Sequence, residues 1–185
     1  MTSIKPTQNG FALLLTLVII SVVLAIGLSL LNITMKQFTL SSIARDSEVA
    51  FHAANTGIEC MRYWRQDPAT ETDMLNGGSA PSSVDCGGSG YNRISATDNH
   101  SGSVFNYQYR FDKTDTNDQC IETSIYLLDA TGGAINNFSL ADEGLESIDC
   151  SNGNVCTALF SRGYNRPCGD LGSIRTVQRE ITVTY

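Results

Sequence analysis

Charged residues are missing from the first part of this 185-residue chain, where residues 11–31 contain none. The run is interrupted only by three hydroxyl residues and one glycine: Thr16, Ser21, Ser29 and Gly27. A helix of about 20 apolar residues spans the hydrocarbon core of a bilayer, whereas the apolar part of a signal peptide has roughly 7–15 residues. The run therefore predicts a retained membrane-spanning helix. Its small residues, Ala25-Ile26-Gly27, leave removal by signal peptidase open as an alternative.

Closely spaced cysteine pairs are also missing, and zinc sites depend on them. All six cysteines follow the apolar run, and neither His52 nor His100 lies near a cysteine pair. We therefore expect no metal and three disulfides. Disulfides persist in oxidising compartments, so the chain after Leu31 is expected outside the cytoplasm, with a short N-terminal piece inside. Sequence spacing alone does not choose among the possible pairings.

Cationic residues are few, with 12 Lys and Arg against 19 Asp and Glu and a formal net charge of −7. A broad electrostatic contact with nucleic acid needs clustered cations. The one such cluster is Arg162, Arg166, Arg175 and Arg179. A solvated strand edge explains this cluster more simply, so DNA binding is not expected.

Proline is absent from residues 32–65, which contain a single glycine, Gly57. Apolar residues recur there on one helical face: Ile43, Ala50, Ala54, Ile58 and Met61. Asp67-Pro68 ends this pattern, because the residue before a proline is disfavoured in the helical region. We expect one helix over about residues 11–65, with an apolar half at 11–31 and an amphipathic half in 32–67.

Strand patterns follow a stretch rich in Gly, Ser, Asn and Asp at 68–103, which we interpret as a surface loop. Alternating or β-branched segments predict strands at four places: 104–112, 120–133, 155–165 and 174–185. Residues 134–154 are acidic and predict another loop. The expected fold is α+β, a long N-terminal helix packed on a small antiparallel sheet, with a disulfide-stabilised sheet domain at 68–185.

Catalytic patterns are missing as well: the chain has no Gly-rich phosphate loop, paired catalytic carboxylates or Ser-His-Asp arrangement. Cys60 with His52 suggests a thiol nucleophile, but a disulfide explains Cys60 better. The aspartates of 112–118 offer oxygen ligands for calcium without EF-hand spacing, so a solvated turn is the default. Trp64 is expected to pack under the domain. We predict no enzyme activity and no cofactor.

The start of the chain carries a more specific pattern. A short polar leader ends in Gly10, directly before Phe11 and an apolar helix that continues into an amphipathic one. This arrangement resembles a type IV pilin or pseudopilin. The segments SEVAFHAANTGIEC and RTVQREITVTY are similar to those of PilX-like minor pilins. The resemblance covers about residues 5–65, and the last dozen residues weakly.

The resemblance implies a prepilin leader at 1–10, a peptidase cut between Gly10 and Phe11, and N-methylation of the new terminus at Phe11. It implies a single-pass protein of the cytoplasmic membrane whose C-terminal domain is extracytoplasmic. This protein would later enter a cell-surface or periplasmic filament, with residues 11–31 in the filament core. The implied partners are other pilin subunits, the prepilin peptidase, the inner-membrane assembly machinery and, before assembly, membrane lipid.

Two positions depart from the family pattern. Members usually have a glutamate as the fifth mature residue, which pairs with the N-terminal ammonium of a neighbouring subunit, and Leu15 stands there in this chain. Thr16 is a poor replacement for that carboxylate. Such a buried pair guides the register of the packed helices. The resemblance implies that a subunit without the glutamate is a minor or tip subunit. Asn32 replaces a proline that is frequent in major pilins, which favours an unkinked helix.

The favoured disulfides are Cys120–Cys168, Cys150–Cys156 and Cys60–Cys86. The resemblance supports only the first of them. Two other functions stay open: a single-span, membrane-anchored extracytoplasmic ligand-binding domain, and a secreted enzyme. The mature N-terminus distinguishes the three hypotheses: Phe11 for the pilin, Met1 or Thr2 for the anchor, and Leu28 for the enzyme. The filament system (pilus, secretion or DNA uptake) and a tip or shaft position also stay open.

Overall fold

The computed structural model describes residues 9–75, 83–86, 89–95, 103–113 and 119–185. Packing divides the chain into two compact units, Met1–Ala44 and Arg45–Tyr185. The division falls inside the segment 32–67 that was expected to be amphipathic. The C-terminal part of the long helix therefore belongs to the same unit as the sheet.

The long helix α1 runs from Asn9 to Gln66, which confirms the single helix predicted over 11–65. Every side chain of α1 in residues 11–40 is exposed. Within the described part of the chain, this is the one helix long and apolar enough to cross a membrane.

A short second helix, α2 (Pro68–Leu75), follows immediately. The Asp67 carboxylate caps it by accepting hydrogen bonds from the backbone N–H and the hydroxyl of Thr70, at 3.1 and 2.8 Å. Pro68 is tolerated at the first helical position because the N–H there has no helical partner. The expectation of a loop over 68–103 is therefore wrong where α2 forms. It is also wrong for two strands, β1 (Ser83–Cys86) and β2 (Ser89–Ser95).

Six strands form one antiparallel sheet in the order β1-β2-β3-β4-β7-β8. The last four in this order are β3 (Val104–Lys113), β4 (Gln119–Asp129), β7 (Val155–Tyr164) and β8 (Gln178–Thr184). They correspond to the four strands predicted from the sequence. The α+β class, a long helix packed on an antiparallel sheet, is confirmed.

A separate two-stranded hairpin, β5 (Ile135–Leu140) and β6 (Leu145–Cys150), lies where a loop was expected at 134–154. That expectation is wrong because the register of the hairpin shifts twice, so its apolar residues do not follow period two. The hairpin packs Phe138 and Ile148 on the sheet face away from α1.

Small residues let α1 lie close to the other face of the sheet. Four of the five residues of the predicted helical stripe are buried: Ala50, Ala54, Ile58 and Met61. The fifth, Ile43, belongs to the first unit and is 52% exposed. A Cβ atom at Gly57 would lie 2.2 Å from Ser161 Oγ, so any larger residue there would force either the packed side chains of the sheet or the helix to move.

Candidate functional site

The predicted cleavage junction lies in the first turn of α1. Gly10 and Phe11 follow Asn9 there, and the Phe11 side chain is exposed. Leu15, which stands where pilins usually have glutamate, lies one turn later on the same helical face and is also exposed. Residues 1–8, most of the predicted leader, lie outside the described residues. Cleavage at Gly10 and methylation of Phe11 stay predictions.

Two of the three hydroxyl groups in the apolar run of α1, and one just after the run, donate hydrogen bonds within the helix. Thr16 donates to the carbonyl oxygen of Leu13, and Ser21 to that of Val18, each at 2.8 Å. Thr34 donates to the carbonyl four residues earlier, at 2.9 Å. A hydroxyl group that is hydrogen-bonded in this way adds little to the free-energy cost of placing the helix among lipid tails or other apolar helices. The Thr16 hydroxyl is neutral, so it cannot supply the negative charge of a carboxylate.

Two of the favoured disulfides are present in the structure. Cys120–Cys168 joins the start of β4 to the turn after β7, and Cys150–Cys156 closes the loop between β6 and β7. Cys60 is also disulfide-bonded. The side chain of Cys86, its favoured partner, lies outside the described residues, so the Cys60–Cys86 pairing stays a prediction.

The alternative of a thiol nucleophile at Cys60 fails because its sulfur is oxidised in a disulfide. His52 is exposed, and its Nε2 lies 3.8 Å from Oε1 of Glu48 on the same helix. Trp64 is half-buried against the main core, and its indole Nε1 donates to the carbonyl oxygen of Asp85 at 3.0 Å. Its expected packing under the domain is confirmed.

The aspartate-rich segment 112–118 lies mostly outside the described residues, and calcium binding there stays an open alternative. Its first residue, Asp112, accepts a hydrogen bond from the backbone N–H of Cys168 at 2.5 Å. Asp112, Cys120 and Cys168 bring their side-chain ligand atoms within 4.8 Å of one another. The two sulfurs are bonded to each other and therefore cannot act as thiolate ligands. This group is a disulfide contact and not a metal site.

A row of alternating charges crosses the sheet face away from α1. The strand register aligns Arg110, Glu122, Arg162 and Glu180, one residue from each of β3, β4, β7 and β8. We name these four residues the charge row. Arg110 Nε donates to Glu122 Oε1, and Arg162 Nε donates to Glu180 Oε2, each at 2.6 Å. Such cross-strand pairs contribute about 0.2–1 kcal/mol each.

Glu143 adds a buried carboxylate to this row. It lies in the 3₁₀ turn Ala141–Glu143 between β5 and β6, and its side chain is 5% exposed. Arg162 Nη2 donates to Glu143 Oε2 at 2.5 Å, and the Tyr126 hydroxyl donates to Oε1 at 3.0 Å. Arg162 therefore bridges two carboxylates, Glu143 and Glu180. A buried carboxylate is tolerated only when it is paired in this way.

Three groups in and beside the row have shifted pKa values: Tyr164, Tyr126 and Arg162. Burial and the neighbouring Glu122 carboxylate raise the pKa of Tyr164 to about 12. Burial and Glu143 raise the pKa of Tyr126 well above its usual value. Burial lowers the pKa of Arg162, but the Glu180 and Glu143 carboxylates more than offset this effect, and the net shift is upward. These three groups therefore keep their protons at neutral pH.

An open cleft of about 370 Å³ lies beside the charge row at β8. Its lining is Asp142, Glu143, Gly144, Arg162, Tyr164, Gln178 and Glu180. Three carboxylates face one guanidinium, so the cleft has a negative balance and favours a cationic group.

The four arginines that cluster in the sequence do not form one basic strip. Arg162 bridges two carboxylates, Arg166 lies 3.8 Å from Asp170, and Arg179 donates to Ser47 Oγ at 2.7 Å. Arg175 is exposed in the loop before β8. Only Arg179 belongs to an edge strand, so interpreting all four as a strand edge is wrong for the other three.

Sequence reasoning missed Glu143 and the charge row. The row depends on the pairing of β4 with β7, which are separated by the whole β5–β6 hairpin. One available signal was Asp142-Glu143-Gly144 between Leu140 and Leu145, a turn-forming triplet between apolar residues. Gly144 adopts φ 79°, a left-handed conformation that favours glycine.

Comparison of the chain with profiles of protein families, with curated proteins and with solved structures finds no match.

Proposed function

We propose that this protein is a minor or tip subunit of a type IV pilus or pseudopilus, from which a prepilin peptidase removes residues 1–10. The observation that carries the proposal is the composition of α1. One uninterrupted helix contains the Gly10–Phe11 junction, an apolar part exposed on all sides, and a small-residue face packed on the sheet.

The exposed apolar part of α1 requires a cover. Its large side chains, from Phe11 to Leu40, are all at least half exposed. Burial of each such side chain contributes about 1.5–3 kcal/mol, so the helix is strongly driven out of water. Lipid supplies that cover before assembly, and a bundle of like helices supplies it in a filament. The hydroxyl groups bonded within the helix suit both environments.

Leu15 supports a minor or tip position. A shaft subunit is surrounded by neighbours whose N-terminal ammonium groups need a carboxylate among apolar helices. Leu15 offers none, and the neutral hydroxyl of Thr16 does not replace it. A subunit at the tip has no preceding neighbour whose ammonium must be paired.

A pair of glycine variants tests the proposal against its alternatives. In cells that contain the prepilin peptidase, Gly10→Leu is expected to retain residues 1–10, because a bulky side chain blocks the junction. Gly27→Leu is the matched control, since a Cβ atom there meets nothing within 4 Å and Gly27 belongs to the signal-peptidase alternative. Electrophoretic mobility reports the cut. If Gly27→Leu retains extra residues and Gly10→Leu does not, the chain is a secreted protein. If neither changes the chain length, it is a membrane-anchored domain.

A further inference from the structure

We propose that the open edge of β8 binds an extended segment of another protein that places a lysine or arginine opposite Glu180. β8 ends the strand order of the six-stranded sheet, and it pairs with β7 on one side. Its side chains on the face of the charge row are all exposed: Gln178, Glu180, Thr182 and Thr184. The inference concerns this edge alone and does not depend on the role in a filament.

The hydrogen-bond pattern shows which backbone groups point outward. Thr157 and Tyr185 exchange two backbone hydrogen bonds, at 2.8 and 3.0 Å. In an antiparallel pair such exchanges recur at every second residue, so Ile181 and Val183 also bond to β7. The N–H and C=O groups of Gln178, Glu180, Thr182 and Thr184 therefore point away from the sheet. The side chains of these four residues lie on the face of the charge row. One added strand would therefore bond to their backbone groups and also place side chains beside theirs.

The β8 edge is charged only at Arg179 and Glu180, and it lacks the short length, proline and bulge that protect other edge strands. It has seven residues, contains no proline, and keeps an unbroken register with β7. Its last four residues, Ile181–Thr184, are all β-branched and favour extended structure. By contrast, β1 at the other edge has four residues, and the neighbouring β2–β3 pair is bulged. A long regular edge is a template for strand addition.

Charge selects the occupant of the edge. The charge row alternates from Arg110 to Glu180 and ends there in a carboxylate. The cleft beside Glu180 adds Asp142 and Glu143, with Arg162 as the cation between them. A residue directly opposite Glu180 on an added strand shares its face of the sheet. A lysine or arginine at that position would continue the alternation and enter the acidic cleft.

The edges of a second copy do not supply this cation. On β8 of a second copy, the residues of the matching face are Gln178, Glu180, Thr182 and Thr184, which include no base. On β1, the strand register places Ser83 and Asp85 on that face. Since the described edge strands of a second copy offer no matching base, the occupant that fits is a segment of a different protein.

Binding of labelled seven-residue peptides to the full chain in detergent tests the inference, with fluorescence anisotropy as the measurement. The probes are acetyl-TTTKTTT-amide and the same peptide with glutamate in place of lysine. We expect the lysine peptide to bind more tightly. Glu180→Gln should weaken that binding by up to about fivefold, the equivalent of one cross-strand charge pair. Glu146→Gln, which changes an exposed glutamate of β6, is the matched control and should have no effect.

Backbone methylation tests the mode of binding. The lysine peptide N-methylated at residues 2, 4 and 6 should not bind, because those N–H groups would face β8. The isomer methylated at residues 3, 5 and 7 should bind like the parent. Glu180→Lys should reverse the preference in favour of the glutamate peptide. Equal binding of the two isomers, no binding of any peptide, or an unchanged preference would overturn the inference. So would dimerisation of the chain that Thr182→Pro abolishes, because the edge would then be occupied by a second copy.

Discussion

Gly163 of β7 lies against the backbone of α1 at Ala50. A Cβ atom at Gly163 would lie 2.1 Å from the Ala50 carbonyl oxygen and 2.2 Å from the Ala54 amide nitrogen. Ala50, Ala53 and Ala54 are all buried at this contact. Helix and strand therefore approach each other through small residues, with no larger side chain between them. The distance between these two elements is set by backbone atoms, which cannot rotate away.

Gly163→Ala should destabilise the sheet unit by about 1–3 kcal/mol, because the added methyl group overlaps helix backbone and the core cannot adjust locally. Urea unfolding followed by the fluorescence of Trp64, the single tryptophan of the chain, measures the effect. Gly132→Ala is the control, since a Cβ atom at this exposed turn meets nothing within 4 Å. Equal midpoints for the two variants would show that the helix is not held this close to β7.

Substitution of Arg162 should lower the free energy of unfolding far more than substitution of Glu180. Arg162→Met leaves Glu143 buried without its cation, for which about 3–5 kcal/mol is expected. Glu180→Gln leaves the Arg162–Glu143 pair intact and should cost no more than about 1 kcal/mol. The same urea titration compares the two variants. Adding Glu143→Met to Arg162→Met should restore much of the loss, and a double variant as unstable as Arg162→Met alone would argue against the buried pair.

Alkaline pH should weaken the fold partly through Tyr164. Its pKa is raised from 10.0 to about 12 in the folded chain, chiefly by burial and by Glu122. The protonated, neutral form is therefore favoured in the folded state. This contribution is complete below pH 10 and is lost as the pH rises through about 12. Tyr164→Phe should show a shallower fall in unfolding free energy between pH 10 and 12 than the unmodified chain. Identical slopes would contradict this role of Tyr164.

Leu15→Glu should increase incorporation of the protein into the filament shaft, because the new carboxylate can pair with a neighbouring N-terminal ammonium. About 1.4 kcal/mol of pairing would give roughly tenfold enrichment. Leu14→Glu is the matched control, since it adds the same charge on a different helical face. Quantitative mass spectrometry of sheared filaments measures the ratio of this protein to the major subunit. Equal incorporation of Leu15→Glu and the unmodified chain would contradict the claim that Leu15 keeps this protein out of the shaft.

Local periodicity was sufficient to predict the long helix and four of the six strands of the main sheet. α1 has no internal proline, and β3 buries Phe105, Tyr107, Tyr109 and Phe111 at strict period two. α2 was missed because the Asp67-Pro68 signal both ends one helix and caps the next. The β5–β6 hairpin was missed because its shifted register removes the period that predicts a strand.

The charge row could not be predicted in the same way. Arg110, Glu122, Arg162 and Glu180 become neighbours only through strand pairing. Glu143 joins them because the hairpin folds back over the sheet, which places its turn beside Arg162. Nothing in the local sequence around Glu143 distinguishes a buried ion pair from an exposed acidic turn. By contrast, the predicted Gly10–Phe11 junction is a local sequence pattern that involves no strand pairing, and cleavage there stays a prediction.

The mature N-terminus tests the central claim most directly. Intact-mass and N-terminal peptide mass spectrometry should be performed on the protein isolated from its native membrane. A pilin-like subunit should begin at Phe11 and carry an N-methyl group. A chain that begins at Met1, Thr2 or Leu28 would contradict pilin-type processing, and with it the proposed place in a filament.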